Sequence, residues 1–312
     1  MNIQKCKVDN VEYFYDKKNG FDMLIDNQRI NYPDSIYKYC SISKNSISAF
    51  REHYLYASHP KDFNDPFDCN ERLIIPPKSP KELYIYNEIS KELRLNKNHD
   101  YISIFYNLLF YHFGIVSMTT NDSNMYMWTH YTNNHSGFLL KFTTKKLIKN
   151  YSGIYKVNYI KSISPVVFDD DNLVAQIFMM ICSKSDKWIA EDEWRLLTYG
   201  SKMFVPGVHN KEENENLINN RKIEYNLDSL EEIILGHYFF SRNNIVKIDQ
   251  RKYYLNFDND IDDLKIELLD FIINNRIQTK WIFLNLSDFE LEPMKIEISK
   301  KDKLFIFDII DN

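Results

Sequence analysis

Seven glycines serve a chain of 312 residues, and that scarcity narrows the possible folds more than any other feature. Phosphate-cradling loops and dinucleotide turns need glycine where the backbone takes a positive φ or approaches a ligand closely. Neither G-x-x-x-x-G-K-[ST] nor G-x-G-x-x-G occurs, so P-loop nucleotidases and Rossmann-type dinucleotide binders are excluded. No repeat of about twenty to fifty residues is visible, which removes solenoids and propellers.

The chain sits at the upper edge of what one hydrophobic core organises, and its 44% hydrophobic and 27% charged residues are ordinary for a globular protein. We expect an N-terminal extension over 1–34 and a single domain over 35–312, with a motif core at 35–237 and a C-terminal helix and strands at 238–312. A net charge of -5 gives no general attraction to a polyanion and leaves only a local basic groove open. Cys6, Cys40, Cys69 and Cys182 form no C-x-x-C pair, so neither a zinc ribbon nor a secreted disulfide framework is expected, nor any other metal centre. No apolar run approaches the roughly 18 residues of a membrane span, and no targeting pattern opens the chain. These features imply a cytoplasmic protein without a membrane partner; self-association is left open.

Period-two runs predict strands at SIYKYCS (35–41), HYLYAS (53–58), GIVSMTT (114–120), GFLLKFT (137–143), IYKVNYI (154–160), LEEIILG (230–236) and a closing pair, WIFLNL and MKIEIS. One or two further strands are expected near VEYFY and DMLID. Helical spacing predicts two helices within 80–112, a short one within 121–134, one over 173–182 and one over 261–275. Serines after residue 41 should cap a short helix ending near Glu52, and Asp169–Asp171 should cap the helix at 173. HNKEENENLINNRK reads as a surface excursion. Strands and helices without strict alternation give an α+β class with a mixed, mainly antiparallel sheet.

Three stretches could carry chemistry. In KWIAEDEWRLL, read as a strand ending at Tyr199, Glu191, Glu193 and Arg195 share one face and Trp194 the other. Such a face is a solvated edge or a site, and the flanking Trp188 and Trp194 favour burial. Neighbouring carboxylates repel, so one would hold its proton more tightly unless Arg195 compensates. In FNDPFD, Asn64 and Asp65 can bond their own backbone, with Phe63 and Phe67 as anchors; the loop is a rigid turn or a ligand holder. In MYMWTHYTNNHSGF, Trp128, Tyr131 and His135 share a helical face with His130 beside them, which suits either core or a binding surface.

Taken in order, IYKYCS, LYASHPKDFNDPFD, MWTHYTNNHSGF, KWIAEDEWRLL and EEIILG resemble the bacterial family described as domain of unknown function 2971. The resemblance implies a cytosolic protein of mobile-element or phage-defence settings, with no established reaction. More distantly, an early aromatic strand, a middle aromatic and a late E-x-E make the chain similar to ADP-ribosyltransferases. That similarity implies NAD, a macromolecular acceptor (protein or nucleic acid) and a toxic or defensive activity. Glu193 would stabilise the oxocarbenium-like transition state, Glu191 would handle the acceptor, and Arg195 would complete the catalytic set. Tyr131 would stack on nicotinamide, and Asn64, Asp65, Trp128 and His130 would line the nucleotide site. Tyr37 or Tyr39 stands where those enzymes carry His or Arg. A magnesium-dependent nuclease built on Asp65, Glu191 and Glu193, and a non-catalytic sensor with an aromatic cleft, are the rival readings.

Overall fold

The computed structural model describes residues 3–77, 109–151, 153–210, 215–240, 245–255, 263–301 and 304–310. The two helices expected over 80–112 lie outside these residues, save 109–112.

Where one or two N-terminal strands were expected, a four-stranded antiparallel meander forms from β1 (Gln4–Val8), β2 (Val11–Asp16), β3 (Gly20–Ile25) and β4 (Gln28–Arg29). Its last hairpin turns at Asp26 and Asn27, φ 52° and 61°, a two-residue turn of positive φ whose twist matches the strands it joins. The remaining strands are β5 (Ser35–Cys40), β6 (Tyr54–Tyr56), β7 (Ile74–Ile75), β8 (Phe113–Thr119), β9 (Phe138–Thr143), β10 (Ile154–Lys156) and β11 (Asn158–Ile160). They continue with β12 (Val166–Val167), β13 (Ser183–Ser185), β14 (Glu193–Tyr199), β15 (Lys222–Glu224), β16 (Leu230–Leu235), β17 (Ile245–Lys247) and β18 (Lys252–Leu255). β19 (Gln278–Asn285) and β20 (Glu290–Lys301) are the expected closing pair, and β21 (Leu304–Ile309) adds a third strand to it.

Eleven of these strands form one sheet in the order β10-β14-β8-β5-β9-β16-β19-β20-β21-β18-β17. Within it β16 and β19 run parallel and the other neighbours antiparallel. This is the α+β class with a mixed, mainly antiparallel sheet. IYKVNYI makes two strands where one was expected: β10 pairs with β14, β11 pairs in parallel with β13, and Val157 between them donates its N–H to Glu193 O at 2.9 Å.

Strand alternation sends side chains to two different cores. On one face Ile36, Met118, Phe142, Trp194, Leu196 and Ile233 pack with α1 (Lys44–Arg51) and α4 (Asp263–Asn275). Ser43 caps α1 through Ser46, as its serines predicted. On the opposite face two smaller clusters lie side by side. One joins Phe113, Ile115 and Leu197 to the N-terminal meander and α3 (Leu173–Ile181), whose lead-in is capped by Asp169. The other joins Tyr39, Leu139 and Ile234 to α2 (Met125–Tyr131). The seam between these clusters is polar, and it holds the site.

The charged 209–222 stretch is only partly a surface excursion: Glu215–Asn219 is a helix without buried residues, but Arg221 is fully buried. Among the described residues, no helix is long and apolar enough to cross a membrane.

Candidate functional site

The opening of KWIAEDEWRLL is not extended. Asp186–Glu191 forms a 3-10 helix capped by Ser185, and β14 begins only at Glu193. Asp192 between them is left-handed, with φ 43°, a conformation that Asp tolerates better than most residues. Its carboxylate faces Lys156 and Thr120. The reversal brings Glu191 back to the side of Glu193 and Arg195, so the three still converge without one continuous strand. β14 is no edge strand: β10 and β8 flank it, and the solvated-edge alternative falls with that.

Arg195 is fully buried and spends all its donors at once. Nε and Nη2 form a fork on Glu193, at 2.9 and 3.0 Å. Nη2 also reaches Asp68 Oδ2 at 2.6 Å, and Nη1 is held by Ile181 O and Cys69 Sγ. Lys184, from β13, distributes its ammonium over Glu191 (2.5 Å), Glu193 (3.0 Å) and Asp68 (3.3 Å). Tyr131 completes the group by donating its hydroxyl to Glu191 Oε1 at 2.5 Å. Three carboxylates against two cations leave one negative charge among side chains that are almost entirely buried.

The two glutamates respond in opposite directions. Burial alone would raise both. At Glu193, Arg195 and then Lys184 more than reverse that and hold the carboxyl at about 2. At Glu191 burial prevails over Lys184 and Tyr131, and its proton affinity is raised. Lys184 is desolvated too, but Glu193 and Asp68 keep it firmly protonated.

This cluster forms one wall of a cavity of about 330 Å³. The cavity opens where the large sheet is least closed: β5 pairs with β9 along its whole length but with β8 only at Tyr37–Thr119. Beyond that point Ser58 takes over the pairing with Ile115, and Lys38 Nζ bonds Ser117 O at 2.9 Å.

Seven of the residues selected from sequence line this cavity: Tyr37, Tyr39, Asn64, His130, Tyr131, Glu191 and Glu193. Three do not. Arg195 lies behind Glu193. Trp128 is a core residue, fully buried, its ring edge-on to Tyr39 and its Nε1 bonded to Asp122 O at 2.7 Å. Asp65 turns inward to accept the Phe67 N–H at 2.9 Å, fixing the turn as its sequence suggested. Phe67 is not an anchor but 77% exposed, because that same turn directs it outward; Phe63 lines the cavity.

Sequence reasoning missed Asp68, Lys184 and Lys38. Asp68 ends the FNDPFD motif and could have been weighed with Asp65; the lysines carry no local signal. A larger groove of about 710 Å³ lies on the N-terminal meander, but its Arg29–Asp22 pair is largely exposed, and among the described residues no buried charge cluster lines it. Among the described residues, no group of three His, Cys, Asp or Glu side chains is arranged to hold a metal ion.

Neither a curated protein nor a solved structure matches the chain. Residues 127–196, which run from α2 through Lys184 and the two glutamates to β14, match the family model described as protein of unknown function (DUF2971), the family that the sequence motifs resembled.

Proposed function

We propose that the cavity is the active site of an ADP-ribosyltransferase-like enzyme that cleaves NAD at its nicotinamide glycosidic bond and passes ADP-ribose to a macromolecular acceptor, in phage defence or toxicity. The observation that carries this reading is the pair of cavity-lining glutamates displaced in opposite directions, one a fixed anion and the other a proton acceptor of raised affinity. Both accept from the same ammonium, at 2.5 and 3.0 Å. That sets the two carboxylates side by side on one wall, as reactions at glycosidic bonds with oxocarbenium-like transition states require of paired acids.

The two would work differently. Glu193 accepts from Arg195 twice, from Lys184 and from Ser117, so it offers charge to the developing ribosyl cation and no free lone pair. Among the described residues Glu191 is held by Tyr131 and Lys184 alone and retains acceptor capacity for the incoming nucleophile. Nicotinamide leaves as a neutral base and needs no proton; the acceptor loses one to Glu191 as its new bond to the ribose carbon forms. Tyr131 supplies aromatic surface for the nicotinamide. The nuclease alternative is less well served, because Lys184 and Arg195 stand where a divalent cation would have to sit and Asp65 is outside the cavity wall.

Incubating the protein with NAD, and separately with nucleic acid plus Mg²⁺, tests this. Release of nicotinamide is the expected result. Strand cleavage without it would transfer the site to the nuclease reading, and neither product would leave a binding module.

A further inference from the structure

The polar groups on the cavity wall divide into two sets. Its buried acceptors, Asp68, Glu191 and Glu193, are engaged by Lys184, Arg195 and Tyr131, while a fourth carboxylate, Asp62, lines the cavity from an exposed position. A second group of donors on the wall is not so engaged. The Lys38 ammonium makes one hydrogen bond, to Ser117 O at 2.9 Å, and faces no carboxylate within ion-pair distance among the described residues. The Ser58 hydroxyl, the Tyr37 hydroxyl and the Asn64 amide line the same cavity and have no side-chain hydrogen-bond partner among the described residues. Burial pushes the Tyr37 phenol up to about 12, so it remains a donor at neutral pH.

A half-buried lysine with hydrogens left uncommitted, whose proton affinity burial lowers and a bound anion would restore, is matched, beside further uncommitted donors, by an acceptor-rich anion. We propose that this wall is an anion subsite and that the ligand of the cavity carries a phosphoryl group, seated on Lys38 and bonded by Ser58, Tyr37 and Asn64. A phosphoryl group is favoured over a carboxylate by the kind of donor. An ammonium is a point charge whose donors rotate to suit a tetrahedral oxyanion, whereas a planar carboxylate is best met by a guanidinium fork. The fork at this site, Arg195, is closed off behind Glu193. The donors also come from separate stretches of chain, β5, the segment after β6 and the Asn64 turn, and so can approach several oxygens from different sides. The inference rests on the reading above only in taking the cavity to be a ligand site, and it adds the charge of what enters.

Calorimetric titration of the full chain with inorganic pyrophosphate, with acetate as the carboxylate control, tests it on the wild type and on Lys38→Met, Lys38→Arg and Ser58→Ala. Pyrophosphate should bind the wild type more tightly than acetate does. Lys38→Met should weaken it by about 10-fold or more, the size expected for a lost charged hydrogen bond, Lys38→Arg should retain most of the affinity, and Ser58→Ala should lose a smaller part. Circular dichroism identifies a misfolded Lys38→Met; the Ser58→Ala and Lys38→Arg titrations then decide. Absence of pyrophosphate binding, equal affinity for acetate, or unchanged affinity in folded Lys38→Met or in Ser58→Ala would overturn the subsite. Nicotinamide release with unaltered pyrophosphate binding in Lys38→Met would overturn this inference and leave the NAD reading standing. Loss of that binding with no nicotinamide release from wild type would do the reverse.

Discussion

Arg195 and Arg221 are both fully buried, yet the molecule treats them in opposite ways. Arg195 is wrapped in anions, and although burial lowers its proton affinity, Glu193 and Asp68 carry it well above the ordinary arginine value. Among the described residues Arg221 bonds backbone carbonyls alone, Phe204 O, Ala57 O and Phe113 O, and burial pulls it down to about 10. One guanidinium gathers carboxylates from separate segments beside a cavity; the other ties segments of backbone together, with Tyr56 and Asp62 as its electrostatic neighbours and no carboxylate hydrogen-bonded to it among the described residues. Burial of a charge therefore does not mark a site. What marks it is burial with counter-charges that open on to space.

The largest effect that could break this comparison is at Arg195 itself. Arg195→Met strands Glu193 and Asp68 with Lys184 as their remaining cation, and we expect a loss of about 3–5 kcal/mol in urea unfolding, the usual cost of removing one partner of a buried pair. The same ion pairing sets the acid limit of the wild type. Glu193 is held at about 2, below its ordinary 4.5, so its contribution is complete above that ordinary value and disappears as pH falls from there through about 2. Glu191, raised by burial, has the opposite sign and is most favourable at acid pH, its contribution declining as pH rises through its displaced value. A stability–pH curve without a fall at the acid end would contradict the charge assignment.

Next in size is catalysis. Glu193→Gln removes charge but little volume and should lower nicotinamide release by roughly 10²-fold with KM for NAD nearly constant. Glu191→Gln should mainly impair transfer to the acceptor and spare hydrolysis. Equal and full activity in both variants would reduce the cluster to a structural one. Arg221→Met, by contrast, should cost about 1–3 kcal/mol through unpaired carbonyls and leave every kinetic parameter of the folded protein alone. The smallest change is Asp65→Ala, about 1 kcal/mol for a lost turn bond; lost activity at unchanged stability would instead make Asp65 a ligand residue.

Local patterns carried most of the strands. β5, β8, β9 and β16 follow directly from runs whose alternation or continuous apolarity is hard to read otherwise, and α1 from its serine cap. The convergence of Glu191, Glu193 and Arg195 was readable as a same-face relation, although the means differed, because a single left-handed residue substitutes for a strand step and leaves no periodic trace. Asp68 and Lys184 were not readable. Asp68 meets Arg195 across 127 positions, and such a contact is set by how the sheet and the loop after β6 close on each other. Arg221 was hidden for another reason: in a run of Asn, Glu and Lys, composition cannot tell which cation turns its stem inward.

The single β5–β8 rung has a mechanical consequence. An eleven-stranded sheet joined by full ladders would behave as one stiff plate, but here the plate is scored along a line, with β10, β14 and β8 on one side and β5 and its successors on the other. Separating the two parts at that line breaks far less backbone bonding than parting β8 from β14, which share seven paired positions. Amide hydrogen exchange should reveal the score as quick deuteration at Tyr39 and Ser117, whose N–H groups face the gap by strand alternation, while Leu139 and Leu196 remain protected. Each half carries part of the cavity wall, so bending of the sheet along this line would change the width of the cavity together with the loop after β6 that completes the wall.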